Sequence, residues 1–137
     1  VVFTNAPRAY GAKCLEALGL ATAVDALYGV EDVMPHCKPD PAAFTTVLDA
    51  AGIVDPRTCL MVEDSMKNIR ACHALGIRTV LVDGGGGLQL AGSEAALLGD
   101  AADAADPAVD VVIPNIRDLR CALPTLWSGP ADSRGHT

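Results

Sequence analysis

The sequence predicts an α/β protein built on an open parallel sheet with helices on both of its faces. Three observations carry that expectation. Short apolar runs rich in β-branched residues alternate with segments of helical periodicity along most of the chain. The runs are apolar on both sides, as strands covered by helices on two faces must be. Glycine and proline punctuate the joints between them. The 137 residues, half of them hydrophobic, have a mean hydropathy of +0.30, enough for one domain with a core and too few for two.

Val1–Thr4 reads as the first strand, ending at Asn5. Pro7 suits the first turn of a helix that runs to Leu18, with Cys14, Leu15 and Leu18 on one face and Gly19 as its stop. Ala26–Val30 is a short second strand. His36–Pro41 is a loop, because Pro39 and Pro41 cannot donate to a ladder. Asp40-Pro41 opens the next helix, in which Phe44, Val47, Leu48 and Ala51 recur at helical spacing before Gly52.

Cys59–Val62 is the third strand and runs directly into Glu63-Asp64-Ser65. Ser65 stands where it can cap a helix reaching Leu75, whose inner face is Met66, Ile69 and Cys72 and whose stop is Gly76. His73 lies beside that face and is expected to pack. Thr79–Val82 is the fourth strand. Gly84–Gly87 reads as a flexible link and not as a phosphate-cradling loop, since neither G-x-G-x-x-G nor G-K-[ST] fits. Residues 88–108, rich in Ala, Gly and Asp, read as an insertion with a helix around Glu94–Leu98. Val109–Ile113 is the fifth strand and Ile116–Leu123 the last helix, anchored to the core by Trp127. The polar residues 128–137 are expected to form a disordered tail.

Composition narrows the function classes. A formal charge of −7 and a pI near 4.7 argue against binding to a nucleic-acid polymer. A small anion remains possible where lysine and amide N–H groups offset the field. Five scattered cysteines without a C-x-x-C, and three histidines away from ligand spacing, point to reduced thiols in an intracellular, cytoplasmic setting. Apolar runs of about five residues fall far short of the ~20 of a membrane helix. The opening VVFTN reads as a strand entered in mid-chain, with no initiating Met, so the sequence is expected to begin inside a larger protein. Any organelle targeting would lie upstream.

In open parallel sheets, ligands gather at the carboxyl ends of the strands. The polar residues there are Thr4 and Asn5, Lys38, and Glu63 and Asp64. Each has a plain reading alone. Asn5 beside Ala6-Pro7 makes a helix cap, Lys38 a solvated lysine, and Glu63-Asp64 an acidic turn favoured by a helix dipole. Two adjacent carboxylates after a buried strand are also easier to keep when a cation lies between them. The set is more specific than its members. A hydroxyl and an amide, then an ammonium, then two carboxylates suit a phosphomonoester and an oxygen-liganded Mg²⁺. Arg8 stands near the first of these, with a surface role the plainer one.

These residues resemble the motifs of the haloacid dehalogenase-like superfamily. Val1–Asn5 is similar to its second motif, Lys38 in CKPDPAAF to its third, and Leu60–Val82 with the acidic pair to its fourth. Thr4-Asn5-Ala6, Glu63-Asp64-Ser65 with Asn68-Ile69, and IRDLRCALPTLW over Ile116–Trp127 are most similar to the pyrimidine 5′-nucleotidase-like branch, although position 63 is Glu where that branch usually has Asp. The resemblance implies a three-layer Rossmann-like core with a parallel sheet. It implies that Thr4, Asn5 and Lys38 bind the transferring phosphoryl group, with Lys38 also holding a nucleophilic carboxylate ionised. Asp64 and Glu63 would bind Mg²⁺, with Ser65 and Asn68 steadying the acidic loop.

The family's first motif, a D-x-D at the end of an earlier strand, occurs nowhere in the 137 residues. That strand is central in the family's sheet, between those of Val1–Thr4 and Cys59–Val62, and the substrate-choosing cap follows it. The chain is therefore expected to be the C-terminal portion of a core without its first strand and cap. The parent is expected to hydrolyse a nucleoside 5′-monophosphate or another small phosphorylated metabolite through an aspartyl-phosphate, and this chain alone to be inactive. The alternative is a truncated, non-catalytic relative serving as a binding module. Oligomeric state is left open.

Overall fold

The computed structural model describes residues 1–84 and 103–127. Strands β1 (Val2–Phe3), β2 (Leu27–Tyr28), β3 (Leu60–Glu63), β4 (Arg78–Val82) and β5 (Val111–Ile113) alternate with helices α1 (Arg8–Ala17), α2 (Pro41–Ala50), α3 (Met66–Ala74) and α4 (Leu119–Ala122). All strand pairings are parallel, in two sheets ordered β1-β2 and β3-β4-β5. The expected helix around Glu94–Leu98 and the tail 128–137 lie outside the described residues, as does most of the expected insertion.

Local signals explain the helices. Asp40 caps α2 by accepting from the Ala42 N–H at 2.9 Å, with Pro41 at the first position. Gly52 (φ +70°) and Gly76 (φ +83°) follow the ends of α2 and α3 in the left-handed conformation that lets a chain turn away from a helix. Met66, Ile69 and Cys72 are fully buried on α3, as their spacing predicts.

Two expectations fail, those for His73 and Trp127, and α1 is barely covered. α1 buries no residue, and Leu18, one position past its last turn, is 69% exposed. That helix covers only the two-residue β2, too little surface to take in a whole face. His73 is exposed, one residue round α3 from the buried Cys72. Trp127 sits in a 3-10 turn, Pro124–Trp127, half-exposed, with the Arg120 guanidinium 6.0 Å from its ring. The last helix opens as a 3-10 turn, Ile116–Asp118, and is too short to carry Trp127 inward.

α2 joins the two sheets. Its Ala43 and Val47 pack with Val33, Phe3 and Tyr28 on the β1-β2 side. Its Phe44 packs with Cys72 and Ile77 on the other side and meets Phe3 edge-on, centroids 5.6 Å apart. A third cluster, Met66, Ile69, Leu81 and Ala108, lies under β4. Arg70 ties the Asp106 turn to α3 at 2.8 Å, and the buried Thr79 hydroxyl donates to the Ala108 carbonyl at 2.6 Å.

Among the described residues β1 and β3 share no ladder. Between them runs an apolar groove of about 320 Å³, walled by Val1–Phe3 and Leu60–Glu63 and floored by Phe44 and Val47. It lies between the two strands that, by the family resemblance, would flank the strand of the first motif.

Candidate active site

The carboxyl ends of β1 and β3 meet at Lys38. Its ammonium donates to the Phe3 carbonyl at 3.1 Å and to Glu63 Oε2 at 2.8 Å, and it lies 5.2 Å from the Phe3 ring centroid. The Lys38 and Glu63 side chains are each only 9% exposed. A lysine that sequence alone would place in solvent is thus drawn to the carboxyl ends of both strands.

The loop that carries it is tied to the end of β1. Asn5 Nδ2 donates to the Lys38 carbonyl at 2.9 Å, and the Lys38 N–H donates back to Asn5 Oδ1 at 2.9 Å. Thr4 Oγ1 accepts from the Ala6 N–H at 3.0 Å. The plain reading of Asn5 as a cap for α1 is not what forms, because α1 starts after Pro7 without a side-chain cap. Its first N–H, on Arg8, is taken instead by both oxygens of Glu31, at 2.9 and 3.1 Å. Asp32 pairs with the Arg8 guanidinium at 3.2 Å. Sequence reasoning missed Glu31, since a carboxylate acting across 23 residues leaves no local pattern.

At the end of β3 the acidic pair divides its labour. Glu63 gives Oε2 to Lys38 and Oε1 to the N–H groups of Asp64 and Ser65, at 3.1 and 3.4 Å. Glu63 thus braces the backbone just ahead of α3, where Ser65 stands at the N-cap position without a side-chain capping bond. Burial pushes the Glu63 carboxyl up, but hydrogen bonds from Asp64 and Lys38 more than offset it, leaving it below the usual glutamate range. Asp64 is exposed and shifted the other way, chiefly by its hydrogen bond to Glu63 and then by burial and the like charge. Nearby, Asp40 is held below the usual range by the Ala42 N–H and by His36, whose Nδ1 lies 2.7 Å away.

A small hard cation fits this donor set. Among the described residues no three His, Cys, Asp or Glu side chains gather as a metal cage, but Mg²⁺ commonly takes one or two carboxylates and keeps waters. Asp64 offers a carboxylate that makes no salt bridge among the described residues. Asn68, 6% exposed and four residues along on α3, holds a buried Oδ1 that no described donor satisfies. The structure thus brings Thr4, Asn5, Lys38, Glu63 and Asp64 to one corner, with Ser65 and Asn68 on the turn behind it. Arg8 turns outward to Asp32.

A family model described as haloacid dehalogenase-like hydrolase matches residues 1–76, which include this whole corner. The chain belongs to that family. Phosphoglycolate phosphatase 1 of Pseudomonas aeruginosa is 32% identical over 139 residues, covering 92% of this chain and 50% of that protein. The phosphoglycolate phosphatase of Escherichia coli strain K12 is 33% identical over 120 residues, covering 88% of this chain and 42% of the relative. The haloacid dehalogenase-like chain described here therefore spans about half the length of the curated relatives it matches. Its fold is that of a HAD phosphatase from Thermococcus onnurineus, with a TM-score of 0.64 over 88% of this chain and 49% of the other, at 22% identity. Among the described residues no helix is long and apolar enough to cross a membrane.

Proposed function

We propose that the chain is the phosphate- and metal-binding half of a Mg²⁺-dependent phosphomonoester hydrolase, whose nucleophilic carboxylate lies outside these 137 residues. The observation that carries this reading is Lys38, nearly buried, with its ammonium bridging the ends of β1 and β3. A lysine so placed can neutralise a phosphoryl group and keep a neighbouring carboxylate ionised. Thr4 and Asn5 complete the phosphate side of the corner. Asp64 is the main metal ligand, with Glu63 acting through water because both of its oxygens are already engaged. Bound there, Mg²⁺ would supply positive charge opposite the developing negative charge on phosphate. Ser65 and Asn68 steady the acidic turn.

In the reaction that follows, an aspartate oxygen attacks phosphorus as the ester P–O bond breaks, and the departing alkoxide takes a proton from solvent to leave as the alcohol. Water then cleaves the aspartyl-phosphate, restoring the carboxylate and releasing inorganic phosphate. The substrate is a small phosphomonoester. The motif pattern around Thr4-Asn5-Ala6 and Asn68-Ile69 favours a nucleoside 5′-monophosphate, whereas the relatives described above bear the name of phosphoglycolate, so both belong in any substrate panel. Since no D-x-D is present in the sequence, residues 1–137 alone are predicted to give no turnover of p-nitrophenyl phosphate with Mg²⁺. Turnover that disappears in Asp64→Ala would refute that division of the site. A protein of any length that binds but never hydrolyses phosphomonoesters would support the binding-module alternative.

A further inference from the structure

Asn5 stands in the corner as one of the groups expected to touch phosphate, but its side chain is already engaged. An amide side chain has one acceptor oxygen and two N–H donors. Here Oδ1 takes the Lys38 N–H and Nδ2 gives a hydrogen to the Lys38 carbonyl, both at 2.9 Å, closing a ring on one residue 33 positions away. Among the described residues the Lys38 backbone makes no other hydrogen bond. Pro35 and Pro39, on either side, have no N–H to give, and Cys37 between them is exposed. The Asp40 N–H closes the loop on the Cys37 carbonyl at 2.8 Å, and Phe3 and Glu63 hold the ammonium, but the Asn5 amide is the tie made directly to the Lys38 backbone.

From this geometry we infer that Asn5 is a positioning residue, whose side-chain amide sets the Lys38 backbone and through it the ammonium, and that this amide does not itself hold the phosphate. The inference deepens the phosphatase reading and rests on it. Two further observations agree. The backbone N–H of Asn5 donates to none of the described residues and is left for an anion. The first N–H of α1 is not left for one, because Glu31 occupies it.

The test is a double-mutant cycle in the longest natural form of the protein, with Asn5→Ala, Lys38→Gln and the pair, assayed on a phosphomonoester with Mg²⁺. A lysine displaced by about an ångström loses on the order of 10- to 100-fold in rate. Asn5→Ala should lose that much in kcat with KM within about threefold and an unchanged melting temperature, and should add nothing to Lys38→Gln. A rise in KM at constant kcat, or losses that multiply in the pair, would mean that Asn5 contacts phosphate directly and would overturn the inference. So would full activity in Asn5→Ala. Should Lys38→Gln not fold, the kcat and KM of Asn5→Ala decide alone. A wild-type enzyme without any phosphatase activity would instead remove the underlying reading. The clamp then rests on amide hydrogen exchange at Lys38 in that same longest form: acceleration in Asn5→Ala upholds it, and an unchanged rate refutes it.

Discussion

Lys38 is held at both ends, by Asn5 at its backbone and by Phe3 and Glu63 at its ammonium. Its pairing with Glu63 has a pH signature. The Glu63 carboxyl lies below its ordinary range when folded, so its contribution to stability is present above the unfolded value near 4.5 and is lost as pH falls through the folded one. Lys38→Met removes the cation and leaves the burial. We expect it to cost about 1–3 kcal/mol at pH 7, the usual penalty for a buried group left without its partner, discounted for partial solvent access. Urea denaturation at pH 7 and pH 4 checks this. The gap between mutant and wild type should narrow at the lower pH, and a gap independent of pH would show that the pair is not what Lys38 contributes. The same residue shows the limit of a sequence reading. Its neighbours Cys37 and Pro39 give no hint of burial, and only its place in the motif order marked it out.

Gly29, next to β2, packs tightest against the β1–α1 loop. A Cβ there would lie 2.4 Å from the Arg8 nitrogen and 2.8 Å from its Cα, and backbone atoms cannot swing aside as a side-chain tip can. Gly29→Ala should therefore push α1 away from Glu31 and Asp32, destabilising the fold by about 1–3 kcal/mol. Chemical denaturation measures it, and a change below about 0.5 kcal/mol would mean that the loop yields freely. Elements of this kind were hard to read. α2, with its Asp40-Pro41 cap, and α3, with its apolar face of Met66, Ile69 and Cys72, were legible because those signals are local. The 3-10 turns at Val30–Asp32 and Ile116–Asp118, the exposed face of α1 and the half-exposed Trp127 depend on which surface a neighbour presents. Periodicity along one segment does not carry that information.

At the scale of the whole molecule, two parallel sheets share one helix, α2, and leave an apolar groove between β1 and β3, with the Lys38–Glu63 pair at the carboxyl ends of those strands. The parallel sheet was legible from the alternation of short apolar strands with helices. The gathering of Thr4, Asn5, Lys38, Glu63 and Asp64 followed from their places at strand ends, because such a sheet brings those ends to one edge. What could not be read was who holds whom: that Asn5 ties Lys38, that Glu63 accepts from the backbone just ahead of α3, and that Glu31 serves α1. These are contacts across 2 to 33 residues, fixed only once the chain has folded. The central claim is that this corner serves phosphoryl transfer. The most direct test is hydrolysis of a panel including phosphoglycolate and a nucleoside 5′-monophosphate by the longest natural form of the protein with Mg²⁺, beside Asp64→Asn. Turnover of at least one phosphomonoester that needs Mg²⁺ and falls by about 10²-fold or more in the variant is the predicted result. Metal-independent turnover, or activity that survives Asp64→Asn, would contradict it.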